Sequence, residues 1–319
     1  MLFIKSLICY PKNISHHLRY NRFQFLLTYL KDIIMCRLLA YLGQPIAMDK
    51  FLYEPENSMI KQSISAKELE EPLNGDGFGV GWYSPTISNN PAVFVSVYPA
   101  WNNRNLRYLA PKIISGSIIA HVRAASVGDV SESNCHPFHF DNMLMAHNGG
   151  VEQFDKIKRP LKNQLSDEQY LWIKGQTDSE HLFALFLESL RKKGEKFTAD
   201  DVADSFQDMI NQLRELMTKY GIEEEAYLNM VFVDGERMVG LRYVSDSSID
   251  PLSLYYSEGS KYVCEDGACH MVPSEGADRS VMIVSEKLTS IAEDWRPIPK
   301  NHMILVYKDL SIGFRKIEM

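Results

Sequence analysis

Short apolar runs of strand length, bounded by Gly, Pro or Asn, fill both ends of the chain, and two long amphipathic segments lie between them. The first block holds CRLLAYL (36–42), FGVGWYS (78–84), AVFVSVY (92–98), SIIAHVR (117–123) and NMLMAHN (142–148). Their length and their turn-forming flanks predict strands. Gly75, Gly77, Gly79 and Gly81 leave room for close backbone approach. The pattern then changes to a helical period over 179–192, with Leu182, Phe183, Phe186, Leu187 and Leu190 on one face and Thr177 or Asp178 at the N-cap. A second helix over 200–219 carries Val202, Phe206, Met209, Ile210, Leu213 and Leu216, a stripe expected in the core. Strands return at 226–234, 237–244, 252–257, 280–285 and 302–309, with Asp234-Gly235 as a hairpin turn between the first two. Strands, two helices and strands again predict one mixed α/β domain in which helices pack outside two layers of sheet.

Composition narrows the function classes. The chain has 319 residues, 45% hydrophobic and 24% charged, enough for a core that stands without disulfide staples. A net charge of −7 without a basic stripe gives no electrostatic case for nucleic acid. No apolar run approaches the ~20 residues that span a bilayer. Cys9, Cys36, Cys135, Cys264 and Cys269 are an odd, irregularly spaced set, read as free thiols of a reducing, cytoplasmic compartment. Cys264, Cys269 and His270 lack the second ligand pair of a structural zinc site, so no metal is expected.

Residues 1–34 differ from the rest. They hold Lys5, Lys12, Arg19, Arg22 and Lys31 against a single acid, Asp32. A targeting peptide, a propeptide, and sequence upstream of a true start at Met35 all fit that balance. The third reading is favoured, because Met35 directly precedes a cysteine small enough to permit methionine removal. The expected division is therefore an extension over 1–35 and a functional domain over 36–319.

Four features bear chemistry. Cys36 as a chain terminus would supply a thiol nucleophile and, through an α-amine of pKa about 7.7–8.0, its own base. Taken alone, a cysteine at a strand start is more often inert packing. In His147-Asn148-Gly149-Gly150 an Asn amide and a Gly N–H form a donor pair suited to an oxyanion, although Asn-Gly by itself favours a tight turn. Arg123 ends an apolar run, where its guanidinium needs either an internal ion pair or a bound carboxylate. Asp178 is either a helix cap or the partner of an ammonium group.

In combination these residues resemble the class II glutamine amidotransferase family of N-terminal-nucleophile hydrolases over roughly residues 35–290. Met35-Cys36-Arg37 resembles the start of the family domain, and the run from His121 to Pro137 its glutamine-carboxylate segment. His147-Asn148-Gly149 is similar to the oxyanion segment, and Thr177-Asp178-Ser179-Glu180 to the amino-group-binding one. Four motifs in order are a far stronger signal than any one. The blocks at 73–83, 99–106, 134–138 and 175–187 look most like a compact branch. That branch includes the γ-glutamyl hydrolase of ergothioneine synthesis and the amidotransferase-like subunit of a yeast glutathione-degrading complex.

The resemblance implies an α+β fold, a four-layer αββα sandwich, with Cys36 as nucleophile and Asn148 and Gly149 as oxyanion donors. It implies Arg123 for the substrate carboxylate, Asp178 for its amine, and Ser285-Glu286 near the site. Ala124 and Val127 stand where many members carry an aromatic and a histidine, which leaves room for a γ-glutamyl substrate larger than glutamine. The expected activity is hydrolysis of a γ-glutamyl amide through a thioester, without metal or organic cofactor. The alternatives are a glutaminase subunit feeding ammonia to a synthase and a non-catalytic γ-glutamyl-binding module. A peptidase-like or synthase partner protein is compatible with the resemblance, since the match consumes most of the chain and no synthetase domain follows.

Overall fold

Alternation along the long strands decides how the layers stack. The computed structural model describes residues 36–68, 73–124, 128–265, 267–274 and 278–319, all within one unit running from Ile34 to Met319. The calls on residues 1–35 and on Val127 lie outside the described residues.

The strands are β1 (Arg37–Ala47), β2 (Phe78–Ser84), β3 (Ser88–Ser96), β4 (Ile114–Val122), β5 (Phe138–Phe140), β6 (Met143–Val151), β7 (Ala226–Val233) and β8 (Met238–Val244). They continue as β9 (Tyr255–Gly259), β10 (Lys261–Glu265), β11 (Ala268–Val272), β12 (Ser280–Val284), β13 (Arg296–Pro297), β14 (His302–Val306) and β15 (Ile312–Lys316). One sheet runs β13-β9-β12-β1-β4-β2-β3, the other β15-β14-β8-β7-β6-β5, and β10-β11 form a separate hairpin.

Along β1, Leu38, Ala40 and Leu42 enter the layer between the sheets, where they meet Leu144, Ala146, Val231 and Val233. Leu39 and Tyr41 point the other way, onto Phe51, Met59 and the β10-β11 hairpin. Along β7, Leu228, Met230 and Phe232 face the helices Asp178–Arg191 and Ala199–Lys219. Both faces of each central strand are therefore buried, which a four-layer sandwich requires. Each large apolar side chain so buried contributes about 1.5–3 kcal/mol, and a one-residue slip would exchange every residue between layers.

The helices lie within a residue of expectation, with Thr177 as the N-cap accepting from Glu180 N at 3.2 Å. The first is buried nearly all round rather than on one stripe, because it lies between the sheet and its neighbouring helices. Asp234-Gly235 does turn β7 into β8, with Asp234 Oδ1 accepting from the amides of Glu236 and Arg237. Gly79 meets its expected use: a Cβ there would lie 2.1 Å from the His136 carbonyl oxygen.

Three expectations are corrected. Asn148-Gly149 is not a turn, since β6 continues to Val151 and pairs with β7 throughout, so ladder pairing overrides the local turn preference. The 252–257 strand begins only at Tyr255, because the Arg242 guanidinium takes the carbonyls of Pro251 and Leu252. Cys264 and Cys269 are not free thiols; they face each other in register across the β10-β11 hairpin and are disulfide-bonded.

Candidate active site

Cys36 stands just before the β1-β4 ladder begins at Arg37 and Val122. Continuing the row of Leu38 and Ala40, it belongs to the end of the inter-sheet layer. It is half-buried, with Sγ 3.5 Å from the Ala124 carbonyl oxygen. Burial pushes the thiol up to about 11, against the lowering influence of Arg123 and Arg37. A thiol in that range is almost wholly protonated at neutral pH and needs a base to become nucleophilic. Among the described residues no imidazole or carboxylate hydrogen-bonds its sulfur.

The first residues of β1 are held from one side. Arg37 Nε meets Glu286 Oε2 at 2.8 Å, and its Nη1 donates to the Cys36 carbonyl at 2.9 Å. Glu286 Oε1 accepts from Asn57 Nδ2 at 2.9 Å and Lys67 N at 2.8 Å. Leu38 N donates to Ser285 Oγ at 3.0 Å, and Ser285 N returns a bond to the Leu38 carbonyl. Ser285-Glu286 thus sits beside Cys36.

Arg123 directly follows β4 and is buried, with Nη1 near the Asp129 carbonyl at 3.3 Å and Nη2 near that of Gly128 at 3.4 Å. Asp178 opens its helix, also buried. Its Oδ2 accepts from Val151 N and its Oδ1 from Ser179 N, each at 2.8 Å. The bond to Val151 ties that carboxylate to the end of β6, which carries His147-Asn148-Gly149-Gly150. Gly149 has φ +152°, and a Cβ there would lie 1.9 Å from the Tyr227 carbonyl oxygen, so only glycine fits. Both Arg123 and Asp178 act electrostatically on the Cys36 thiol, one lowering and one raising its pKa. The five residues selected from sequence therefore converge on one end of the inter-sheet layer.

Sequence reasoning named Arg37 and His147 only as members of motifs, without a role of their own, and passed over Asn229. Asn148 pairs with Asn229 across β6-β7, and each carries a buried Oδ1 without a hydrogen-bond partner among the described residues. Asn229 Nδ2 donates to the Ser253 carbonyl at 2.8 Å, which fixes the orientation of its amide. The signal that selected Arg123, a polar group inside an apolar run, was equally present at Arg37 and Asn229. A separate cavity of about 650 Å³ at the other end of β1, bordered by Leu42, Tyr83, Ile114 and Lys308, contains none of these residues. No helix among the described residues is long and apolar enough to cross a membrane.

Two face-to-face sheets between helices, with a cysteine heading a central strand, define the architecture of N-terminal-nucleophile hydrolases. The family model described as "Glutamine amidotransferases class-II" matches residues 62–312. The chain is 37% identical over 296 residues to the probable glutamine amidotransferase DUG3 of Saccharomyces cerevisiae, covering 86% of this chain and 82% of that protein. It is 34% identical over 139 residues to the gamma-glutamyl-hercynylcysteine sulfoxide hydrolase of Mycobacterium tuberculosis, covering 43% of this chain and 58% of that one. A solved glutamine aminotransferase class-II domain protein from Silicibacter pomeroyi superposes with a TM-score of 0.61 at 25% identity, over 88% of this chain and 99% of the other. The chain belongs to the class II glutamine amidotransferase family. It is an enzyme with the hydrolase activity general to that class.

Proposed function

We propose that this enzyme hydrolyses a γ-glutamyl amide or peptide through a γ-glutamyl thioester on Cys36. The observation that carries the reading is the convergence of a thiol, a guanidinium and a carboxylate at one end of the inter-sheet layer, beside the Asn148-Gly149 segment. Arg123 binds the α-carboxylate of the substrate and Asp178 its α-ammonium group, which directs the side-chain amide toward Cys36. With Cys36 as the chain terminus, its α-amine takes the thiol proton and the sulfur attacks the amide carbon. The oxyanion is received by the Asn148 side-chain amide and the Gly149 N–H. The α-ammonium then protonates the leaving amine. Water, activated by the same amine, opens the thioester and releases glutamate.

With the thiol pushed up by burial to about 11, the scheme requires the base that a free Cys36 α-amine would supply. The mycobacterial relative, a γ-glutamyl hydrolase by name, supports a γ-glutamyl conjugate as substrate. Ala124, whose backbone carbonyl meets Cys36 Sγ at 3.5 Å, carries only a methyl group, which supports a leaving group larger than ammonia. The test is protein beginning at Cys36, assayed against glutamine, glutathione and other γ-glutamyl amides. Release of glutamate from at least one is expected, and release from none refutes the proposal. Protein retaining residues 1–35 is expected to be inactive, because an acylated Cys36 nitrogen cannot serve as base.

A further inference from the structure

Asp178 has a neighbour whose hydrogen-bond state follows from geometry. The His147 ring bridges two partners: Nε2 lies 3.2 Å from the Tyr227 carbonyl oxygen, and Nδ1 lies 2.8 Å from Ser179 Oγ. A carbonyl only accepts, so Nε2 must carry a proton. In the neutral ring Nδ1 is then an acceptor, and Ser179 must donate its hydroxyl hydrogen to it. That hydroxyl also lies 3.3 Å from Asp178 Oδ1, but it has one hydrogen and cannot serve both. Were His147 charged, Nδ1–H would donate to Ser179 Oγ, and the hydroxyl hydrogen would turn to Asp178. Burial lowers the His147 pKa, outweighing the opposing influence of Asp178, and so favours the neutral ring.

We infer that His147 is a positioning residue for amino-group selectivity: as the Nε2–H tautomer it holds the Ser179 hydroxyl away from Asp178 and leaves that carboxylate's charge for the substrate's α-ammonium group. The inference rests on the proposed role of Asp178. A freed hydroxyl would donate to Oδ1 and compete with the ammonium for the same oxygen, weakening a charge-assisted bond.

The readout is the ratio of kcat/KM for L-γ-glutamyl-4-nitroanilide to that for glutaryl-4-nitroanilide, which lacks the α-amino group. It is measured on protein beginning at Cys36. His147→Leu is expected to lower the ratio about tenfold, the scale of one charge-assisted hydrogen bond. The double variant His147→Leu/Ser179→Ala is expected to restore it to within about twofold, because the competing hydroxyl is gone. General structural damage lowers both rates together and is not repaired by a second truncation. An unchanged ratio in His147→Leu, or no recovery in the double variant, overturns the inference.

Asp178→Asn separates the two readings. A collapsed ratio there beside an unchanged one in His147→Leu removes only the role of His147, whereas an unchanged ratio in Asp178→Asn removes the role of Asp178 itself. Should the His147 variants fail to fold, 15N NMR of histidine-labelled wild-type protein decides. Nδ1 of His147 is expected unprotonated and Nε2 protonated at neutral pH, and the opposite tautomer or a charged ring overturns the inference.

Discussion

Removing Glu286 should destabilise the protein more than any single substitution of an exposed acid. Its carboxylate is 2% exposed and meets three donors at once: Arg37 Nε at 2.8 Å, Asn57 Nδ2 at 2.9 Å and Lys67 N at 2.8 Å. Arg37 is itself only 3% exposed, so Glu286→Ala leaves a guanidinium buried without its counter-charge, at a cost of about 3–5 kcal/mol. For a domain of this size about 4 kcal/mol lowers Tm by roughly 7 °C. Arg37→Met/Glu286→Leu removes both charges and should recover part of that loss. Recovery should be incomplete, because Lys67 N and one of the two Asn57 Nδ2 hydrogens still lose their acceptor, although Asn57 Nδ2 keeps its bond to the Lys287 carbonyl at 2.8 Å and Lys67 stands at the surface. Urea unfolding followed by tryptophan fluorescence, with thermal melts alongside, gives both numbers. A loss below about 1 kcal/mol in Glu286→Ala would refute the reasoning, and so would a double variant less stable than the single one.

Gly149→Ala should break the β6-β7 pairing near the site, since its Cβ would lie 1.9 Å from the Tyr227 carbonyl oxygen; a crystal structure with an unmoved strand would contradict this. Alkylation of Cys36 by iodoacetamide in the full-length chain should be slow at pH 7 and rise about tenfold per pH unit toward its pKa of about 11. Peptide mapping by mass spectrometry measures that rate, and a rate that levels off by about pH 9–10 would show the thiol to be unperturbed. Burial lowers the pKa of His121 to about 3 and of His181 to about 4, so the unfolded chain binds their protons first. Their contribution to stability is full above about pH 6.5 and falls on acidification toward pH 4, at a little over 1 kcal/mol per pH unit for each group. Replacing His121 with a neutral residue should flatten that slope in urea unfolding series, and an unaltered slope would exclude it as a source.

Most of the strands were legible as short apolar runs with turn-forming flanks, and both long helices from the helical spacing of their apolar residues. The stripe from Val202 to Leu216 is buried as read, and FGVGWYS coincides with β2. The β10-β11 hairpin, β5 and β15 escaped because their segments (KYVCE, ACHMV, FHF and IGFRK) mix polar and charged residues into the run and present no continuous apolar stretch. The disulfide escaped for a related reason: a spacing of five residues says nothing of register until a hairpin places Cys264 opposite Cys269. At the site, motif chemistry selected Cys36, Arg123, Asn148, Gly149 and Asp178. It gave Arg37 no partner and missed Asn229; the partners of the two lie 249 and 24 residues away.

The sequence by itself determined the class of fold, the family and the set of polar residues set against apolar strands, because periodicity and motif order are local properties of a chain. Only the tertiary structure decided that Asn148-Gly149 is strand rather than turn. It alone decided that Arg37 is held by Glu286, and that the His147 ring lies between the Tyr227 carbonyl and the Ser179 hydroxyl. Each of these depends on what a distant strand presents across the inter-sheet layer or the sheet edge, and a hydrogen bond acts only over about 3 Å of space, whatever the separation along the chain.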